Sequence, residues 1–364
     1  MCPGLALGFA SPAPAWHLIS PLFPDKIGGR PAWLALQYLP KPSELSCPTC
    51  SQPMVFLLQV YSTLDERVDC FHRFLFVFMC RNGQCHRVER PHPFVVFRSQ
   101  LARENAYYSF EPPETEEPTR DQIELLVDSG NLPCAEKFNS ICPVCGCLAD
   151  KACARCKKVR YCSRAHQVIH WRLNHKPLCN PGLPAIVKDG PCFTENEILL
   201  PEYKICSEMA EECSDILKES DDDNAADEVD VAQDDEDSVL ESIAKKETDA
   251  EARFRRFREA MADEPEQVIR LQRGGKPIWL SDSPPDVPNC EICGAKRQFE
   301  FQVTPQLLNY LKLDQLGSAS PDFGSLYVFT CSASCALPRT VSRENGATVT
   351  VEYQPEVLIR QLVP

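Results

Sequence analysis

Between residues 142 and 179, eight cysteines and histidines stand at the intervals Cys142-x2-Cys145-x7-Cys153-x2-Cys156-x5-Cys162-x3-His166-x8-His175-x3-Cys179. Zinc takes Cys and His ligands at such spacings, and eight ligands fill two tetrahedral sites with no position left over. A segment tied in this way draws its folding energy from the metal, and a site closed by four protein ligands is structural. Cys147 follows Cys145 by two and has no slot to fill. His166 and His170, four apart on a predicted helix, imitate a catalytic zinc pair, but the run His-Gln-Val-Ile-His lacks the glutamate base.

The same chemistry extends along the chain. It has 21 Cys in 364 residues. An odd count without a recognisable signal peptide argues against a secreted disulfide framework and for a reducing compartment. The start of the chain has no basic segment before its short apolar stretch. No apolar run approaches the ~20 residues of a membrane helix, so the expectation is a soluble protein with no membrane partner.

An internal repeat sets the organisation. Residues 28–34 read GGRPAWL and residues 274–280 read GGKPIWL. Cys47-x2-Cys50 and Cys290-x2-Cys293 follow, then Phe56, Gln59 and Val60 against Phe299, Gln302 and Val303 at the same offsets. Apolar runs then lead into Cys80 and Cys85 in the first half and Cys331 and Cys335 in the second. Short β-branched or aromatic runs at 55–60, 74–79, 94–97, 299–303, 326–329 and 348–353 predict strands. The paired glycines suit turns of positive φ, Trp33 and Trp279 are predicted core anchors, and Gln59 and Gln302 are placed to satisfy buried backbone beside the cysteines. Two readings of the repeated cysteines stand open. Cys47, Cys50, Cys80 and Cys85, with Cys290, Cys293, Cys331 and Cys335, form one tetrathiolate zinc site per lobe, or they are buried free thiols.

Net charge is uneven. Asp215 to Asp237 holds twelve acids against Lys218, which is −11 of the chain's −14. With little to bury, it reads as a disordered solvated linker or as a mobile acidic arm that screens a basic client. Residues 142–179 instead carry eight bases and one acid, Asp150. That face fits nucleic acid less well than protein, because no stacking aromatics are interleaved with the bases. Phe254, Phe257 and Met261 mark an amphipathic helix over Glu251 to Met261, returning the chain to the second lobe. The boundaries follow: an N-terminal β lobe at 1–132, the zinc module at 134–182, a largely disordered acidic linker at 195–250, and a helix with the C-terminal β lobe at 251–364. The fold class expected is mainly β with some α, a pseudo-duplicated two-lobed β core around a common interior.

Residues 142–179, with Tyr161 before the fifth ligand and Trp171 beyond the sixth, resemble a MYND-type zinc finger. That resemblance implies cross-bracing: Cys142, Cys145, Cys162 and His166 on one zinc, Cys153, Cys156, His175 and Cys179 on the other. His166 stands where the family more often has Cys. The whole arrangement, GGRPAWL and CxxC, MYND insert, acidic spacer, then GGKPIWL with CEICGAKRQFEFQVTPQLLNYL, resembles the programmed cell death protein 2 family. The resemblance implies a non-enzymatic chaperone of the fifth universal small-subunit ribosomal protein, in cytoplasm and nucleus, linked to proliferation and apoptosis. Such a carrier would mask a basic client electrostatically and capture an extended segment on an open strand edge. The competing reading is a transcriptional or signalling adaptor whose MYND finger grips proline-rich peptides. A methyltransferase is set aside because no region outside the lobes could hold its catalytic domain.

Overall fold

The computed structural model describes residues 4–87, 93–113, 115, 117–182, 190–210, 248–280, 285–313, 320–342 and 348–363. Its strands are β1 Ala6–Ser11, β2 Lys26–Ile27, β3 Val55–Tyr61, β4 His72–Met79, β5 Phe94–Leu101, β6 Lys151–Ala152, β7 Arg160–Tyr161, β8 Tyr203–Met209, β9 Gln267–Leu271, β10 Arg297–Val303, β11 Ser325–Cys331, β12 Arg339–Ser342, β13 Thr348–Val351 and β14 Gln354–Gln361. Ten of them close into one barrel in the order β1-β8-β2-β3-β4-β5-β14-β11-β10-β9. Strands β2 to β5 form one half and β9, β10, β11 and β14 the other, so the two lobes expected from the repeat are halves of one closed sheet.

The repeat is visible in the register. A bulge falls between Phe56 and Leu58 opposite β4, and again between Phe299 and Phe301 opposite β11. Phe56 pairs with Phe78 and Phe299 with Phe329. Each GGxPxWL segment then lays its tryptophan on the outer face of its own half. Trp33 lies 5.3 Å from the Phe76 ring and 5.8 Å from Phe78, and Trp279 lies 4.4 Å from Tyr327 and 6.1 Å from Phe329. Gly28, Gly29 and Gly274 take positive φ, as expected; Gly275 does not. Gln59 and Gln302 satisfy buried backbone, though at these turns rather than beside the cysteines. The Gln59 amide accepts from Ala32 N at 2.9 Å and donates to the Pro24 carbonyl at 3.0 Å; Gln302 accepts from Ile278 N and donates to its carbonyl, both at 3.1 Å.

Strand β4 reads as a continuous apolar run because both its faces are covered. Phe74, Phe76 and Phe78 join the outer core under Trp33, while Leu75, Val77 and Met79 fill the barrel. The interior is shared by both halves, with Ile27, Leu57 and Val60 meeting Phe301, Val303 and Leu326. Side chains alone fill a barrel of about eight strands. Here Leu307, Leu308 and Leu311, on and beside a turn of helix at Leu307–Tyr310, complete the packing.

One end of the interior is polar. Glu300, at the β10 bulge, accepts from Arg73 Nη1 at 2.7 Å and Nη2 at 3.0 Å, from Arg273 Nη1 at 2.5 Å and from Ser62 Oγ at 2.6 Å. Burial would push its carboxyl up, but the two guanidinium groups outweigh that and pull it down to about 2. Glu356 on β14 likewise accepts from Arg98 Nε at 2.8 Å and Arg297 Nε at 3.1 Å. Both networks join residues of the two halves.

The structure refines three sequence expectations. The stretch 195–250 was expected to be largely disordered, yet its residues 203–209 form β8, paired with β1 on one side and β2 on the other. Only Ile205 of that strand is buried, so main-chain pairing rather than an apolar pattern holds it. The rest, 211–247 with the acidic run, lies outside the described residues. Within 348–353, β13 pairs with β12 beside the barrel; the barrel strand is β14, whose Pro355 hides it from a propensity reading. The closed order gives each of the ten barrel strands two partners, so the long free edge expected for a client segment shrinks to short stretches where pairing stops, as at β8, which meets β2 only at Tyr203 and Lys204. The predicted amphipathic helix spans Asp249–Ala262, with Phe257 buried.

Candidate metal centres

All four Cys-x2-Cys segments fold into the same turn. The residue after the second cysteine donates its amide to the carbonyl of the first: Ser51 to Cys47 at 2.8 Å, Gly146 to Cys142 at 2.9 Å, Lys157 to Cys153 at 2.9 Å and Gly294 to Cys290 at 2.8 Å. Each of these four residues has positive φ, including Ser51 at 56° and Lys157 at 60°. A left-handed conformation is strained for side-chain-bearing residues and persists where the surroundings impose it.

In the finger, the β6–β7 hairpin presents Cys153 and Cys156 on its turn and ends at Tyr161 beside Cys162. A helix over Arg164–His170 follows, its first turn fixed by Ser163, whose hydroxyl accepts from His166 N at 3.1 Å. A wider turn over Trp171–His175 then carries His175 to the second cluster. The structure gathers Cys142, Cys145, Cys162 and His166 into one group and Cys153, Cys156, His175 and Cys179 into another, the alternating assignment that the family resemblance implies. Cys145 and Cys162 sulfurs are 3.6 Å apart, Cys153 and Cys179 sulfurs 3.9 Å, and Cys156 Sγ lies 3.4 Å from His175 Nε2. A tetrahedron with Zn–S bonds of about 2.3 Å has S···S edges of about 3.8 Å, so the donor atoms stand where zinc needs them.

The half-barrel cysteines are also gathered, four and four. Cys47, Cys50, Cys80 and Cys85 form one cluster at the end of the β3–β4 hairpin, with Cys50 and Cys80 sulfurs at 3.6 Å. Cys290, Cys293, Cys331 and Cys335 form the matching one, with sulfurs at 3.6 to 3.8 Å. Backbone amides favour the thiolate form: the Ala295 amide draws Cys293 down to about 7, and those of Lys158 and Val159 draw Cys156 to about 6 against the push of burial. Burial pushes Cys85 up to about 11. Crowded, partly ionised sulfurs of this kind fit a soft dication, and all four clusters fit zinc.

The two decoys stay outside the clusters. His170 Nδ1 is 3.0 Å from the Tyr161 hydroxyl and its ring stacks on His175, bracing a ligand. Cys147 points its sulfur at the Cys145 carbonyl. The finger is also seated on the barrel, which sequence reasoning missed. Trp33 Nε1 donates to the Gly146 carbonyl at 2.8 Å, Arg30 Nη2 to the Pro143 carbonyl at 2.9 Å, and Asn196 Nδ2 to the Val144 carbonyl at 3.0 Å. Finger cysteines and barrel phenylalanines share one buried core. The repeat does not announce this seat, because both copies carry a base, Arg30 and Lys276, and only the first half has a finger to hold.

Fold and clusters define a duplicated, zinc-type β-barrel protein with a cross-braced finger packed on its first half. Comparison with known proteins makes this specific. The N-terminal domain of programmed cell death protein 2 matches residues 4–115, its C-terminal domain matches 251–361, and the MYND finger matches 142–179. Programmed cell death protein 2 of Bos taurus is 45% identical over 339 residues, 91% of this chain and 92% of its own length. The programmed cell death protein 2-like protein of Homo sapiens is 27% identical over 368 residues, covering 92% of each chain. A Schizosaccharomyces pombe protein named "Probable 20S rRNA accumulation protein 4" is 30% identical over 130 residues, 31% of each chain. No solved structure matches. The chain belongs to the programmed cell death protein 2 family.

Proposed function

We propose that this protein is a non-enzymatic zinc-binding chaperone or adaptor that carries a small-subunit ribosomal protein during small-subunit assembly, in cytoplasm and nucleus, with the links to proliferation and apoptosis that the family resemblance implies. The observation that carries this reading is the relationship to a yeast protein named for 20S rRNA accumulation. Charge agrees with it, because a −11 segment suits a basic client. Each cluster offers four protein ligands, and sites filled that way leave no position for water or substrate. Two zinc ions in the finger and one in each half-barrel complete the reading.

A second reading, a finger-based adaptor, is favoured by one observation. Val168, Leu173 and Leu178 are exposed on the finger among exposed bases. The two readings separate in a tagged capture from growing cells with quantitative mass spectrometry. Deleting the finger would uncover Trp33, so the comparison is wild type against Leu173→Ser/Leu178→Ser, which leaves every ligand in place. One near-stoichiometric small-subunit ribosomal protein on both is expected. A spread of transcription factors, lost with the double variant, would replace the chaperone reading with the adaptor.

A further inference from the structure

The half-barrel clusters share a feature that the sequence repeat does not show. Arg98 on β5 stands opposite Leu75, and Arg360 on β14 opposite Leu326. Leu75 and Leu326 lie three residues before the matched Phe78 and Phe329, so the two arginines are equivalent. Each reaches out of its own half. Arg98 Nη1 donates to the Cys335 carbonyl at 3.1 Å, on the cysteine loop of the C-terminal half. Arg360 Nη1 donates to the carbonyl of His86, next to Cys85 in the N-terminal half.

The Cys331–Cys335 loop is gripped from the N-terminal half at two further points. Arg67 donates to the Ala333 carbonyl, and Gln100 Nε2 to the Ser334 carbonyl at 3.4 Å, with Ser334 Oγ returning a bond to Gln100 Oε1 at 3.0 Å. Ser334 itself has φ 42°, a strained backbone inside the loop. Strand pairing across this seam is short: among the described residues it runs only from Arg98–Gln354 to Val96–Glu356. Side chains that end on the cysteine loops therefore reinforce, beside the Arg98–Glu356 ion pair, the join between the two halves.

We propose that the two half-barrel clusters are keystone metal sites, each holding rigid the loop that an arginine of the opposite half grips, so that losing metal from Cys290, Cys293, Cys331 and Cys335 loosens β5, a strand that supplies no ligand to it. The proposal rests on reading these clusters as zinc sites. The C-terminal site gives way first, because Cys293 is exposed and Cys335 half-buried, whereas the N-terminal cluster has no exposed member and only Cys50 half-buried.

The test follows zinc content and amide hydrogen exchange together on the full chain, by mass spectrometry. Cys335→Ser is expected to lack one zinc and to exchange about tenfold faster over residues 94–101, the order of effect for losing a hydrogen bond to a charged group. Arg98→Met, which also strips Glu356 of a buried partner, is expected to keep its zinc and to exchange at least as fast over the same residues. Wild type titrated with a chelator supplies the result without any substitution: β5 should speed up as the C-terminal site empties. Zinc content in Cys335→Ser equal to wild type would overturn the metal reading and the proposal with it. Zinc lost, but faster exchange confined to β10, β11 and the loop, would overturn the coupling alone.

Discussion

Cys153→Ser is expected to empty both finger sites and unfold residues 142–179. Structural zinc supplies roughly 10–16 kcal/mol of apparent folding free energy in finger peptides at neutral pH. A whole domain is stable by only about 5–15 kcal/mol. The two sites alternate along the chain, so Cys153 and Cys156 of one lie between the ligands of the other. Freeing one therefore releases the frame of both. Trp33 and Trp171 both pack in the core that the finger shares with the barrel. The measurement is zinc content with intrinsic fluorescence: loss of both ions and a red shift are expected. Cys192→Ser, at an exposed cysteine outside every cluster, should change neither. Unchanged zinc and fluorescence in Cys153→Ser would exclude this site.

Glu300→Ala is expected to cost about 3–5 kcal/mol, the usual result of removing one partner from a buried ion pair. Arg73 and Glu300 side chains are 0% and 1% exposed, so the substitution leaves a guanidinium buried without its counter-charge. The pair is weak evidence of net stability, because an apolar replacement of the whole network can be neutral. Removing the carboxylate alone is the damaging change. The pH dependence has a definite sign. The folded carboxyl sits at about 2 against an ordinary 4.5. Its contribution is therefore complete above pH 4.5 and is lost as pH falls from there toward 2. Urea unfolding of wild type and Glu300→Gln should show a gap at pH 7 that narrows below pH 4.5. A gap that stays constant with pH would show that the carboxylate charge is not what the arginines hold.

The legible part of this fold is the part in which side chains do the work. Strands β3, β4, β10 and β11 were readable because apolar and β-branched residues bury both faces, and the cysteine spacings announced every cluster that the structure gathers. Strands β1, β8, β9 and β14 were not read. β8 buries only Ile205 and so carries no apolar pattern, Pro355 interrupts β14, and Gly8 of β1 shows why its sequence is uninformative. A Cβ there would stand 2.3 Å from Ile269 Cγ2 and 2.8 Å from Ile205 Cγ2, so close strand approach selects the absence of a side chain. Closure was illegible for another reason. The contacts that join the halves, Arg73 to Glu300 and Arg98 to Glu356, link residues more than 200 positions apart. Their local trace is a charge in line with inward apolar residues: Arg98 follows inward Phe94 and Val96, and Glu356 precedes inward Leu358.

The central claim is that this duplicated barrel is built on four tetrahedral metal sites, two in the finger and one in each half. Native mass spectrometry of the full chain, purified without added metal and with its thiols kept reduced, counts them directly. Four zinc ions per chain is the result the account predicts. Two ions, with exposed Cys293 alkylated in the folded protein, would contradict it and leave the repeated cysteines as free thiols.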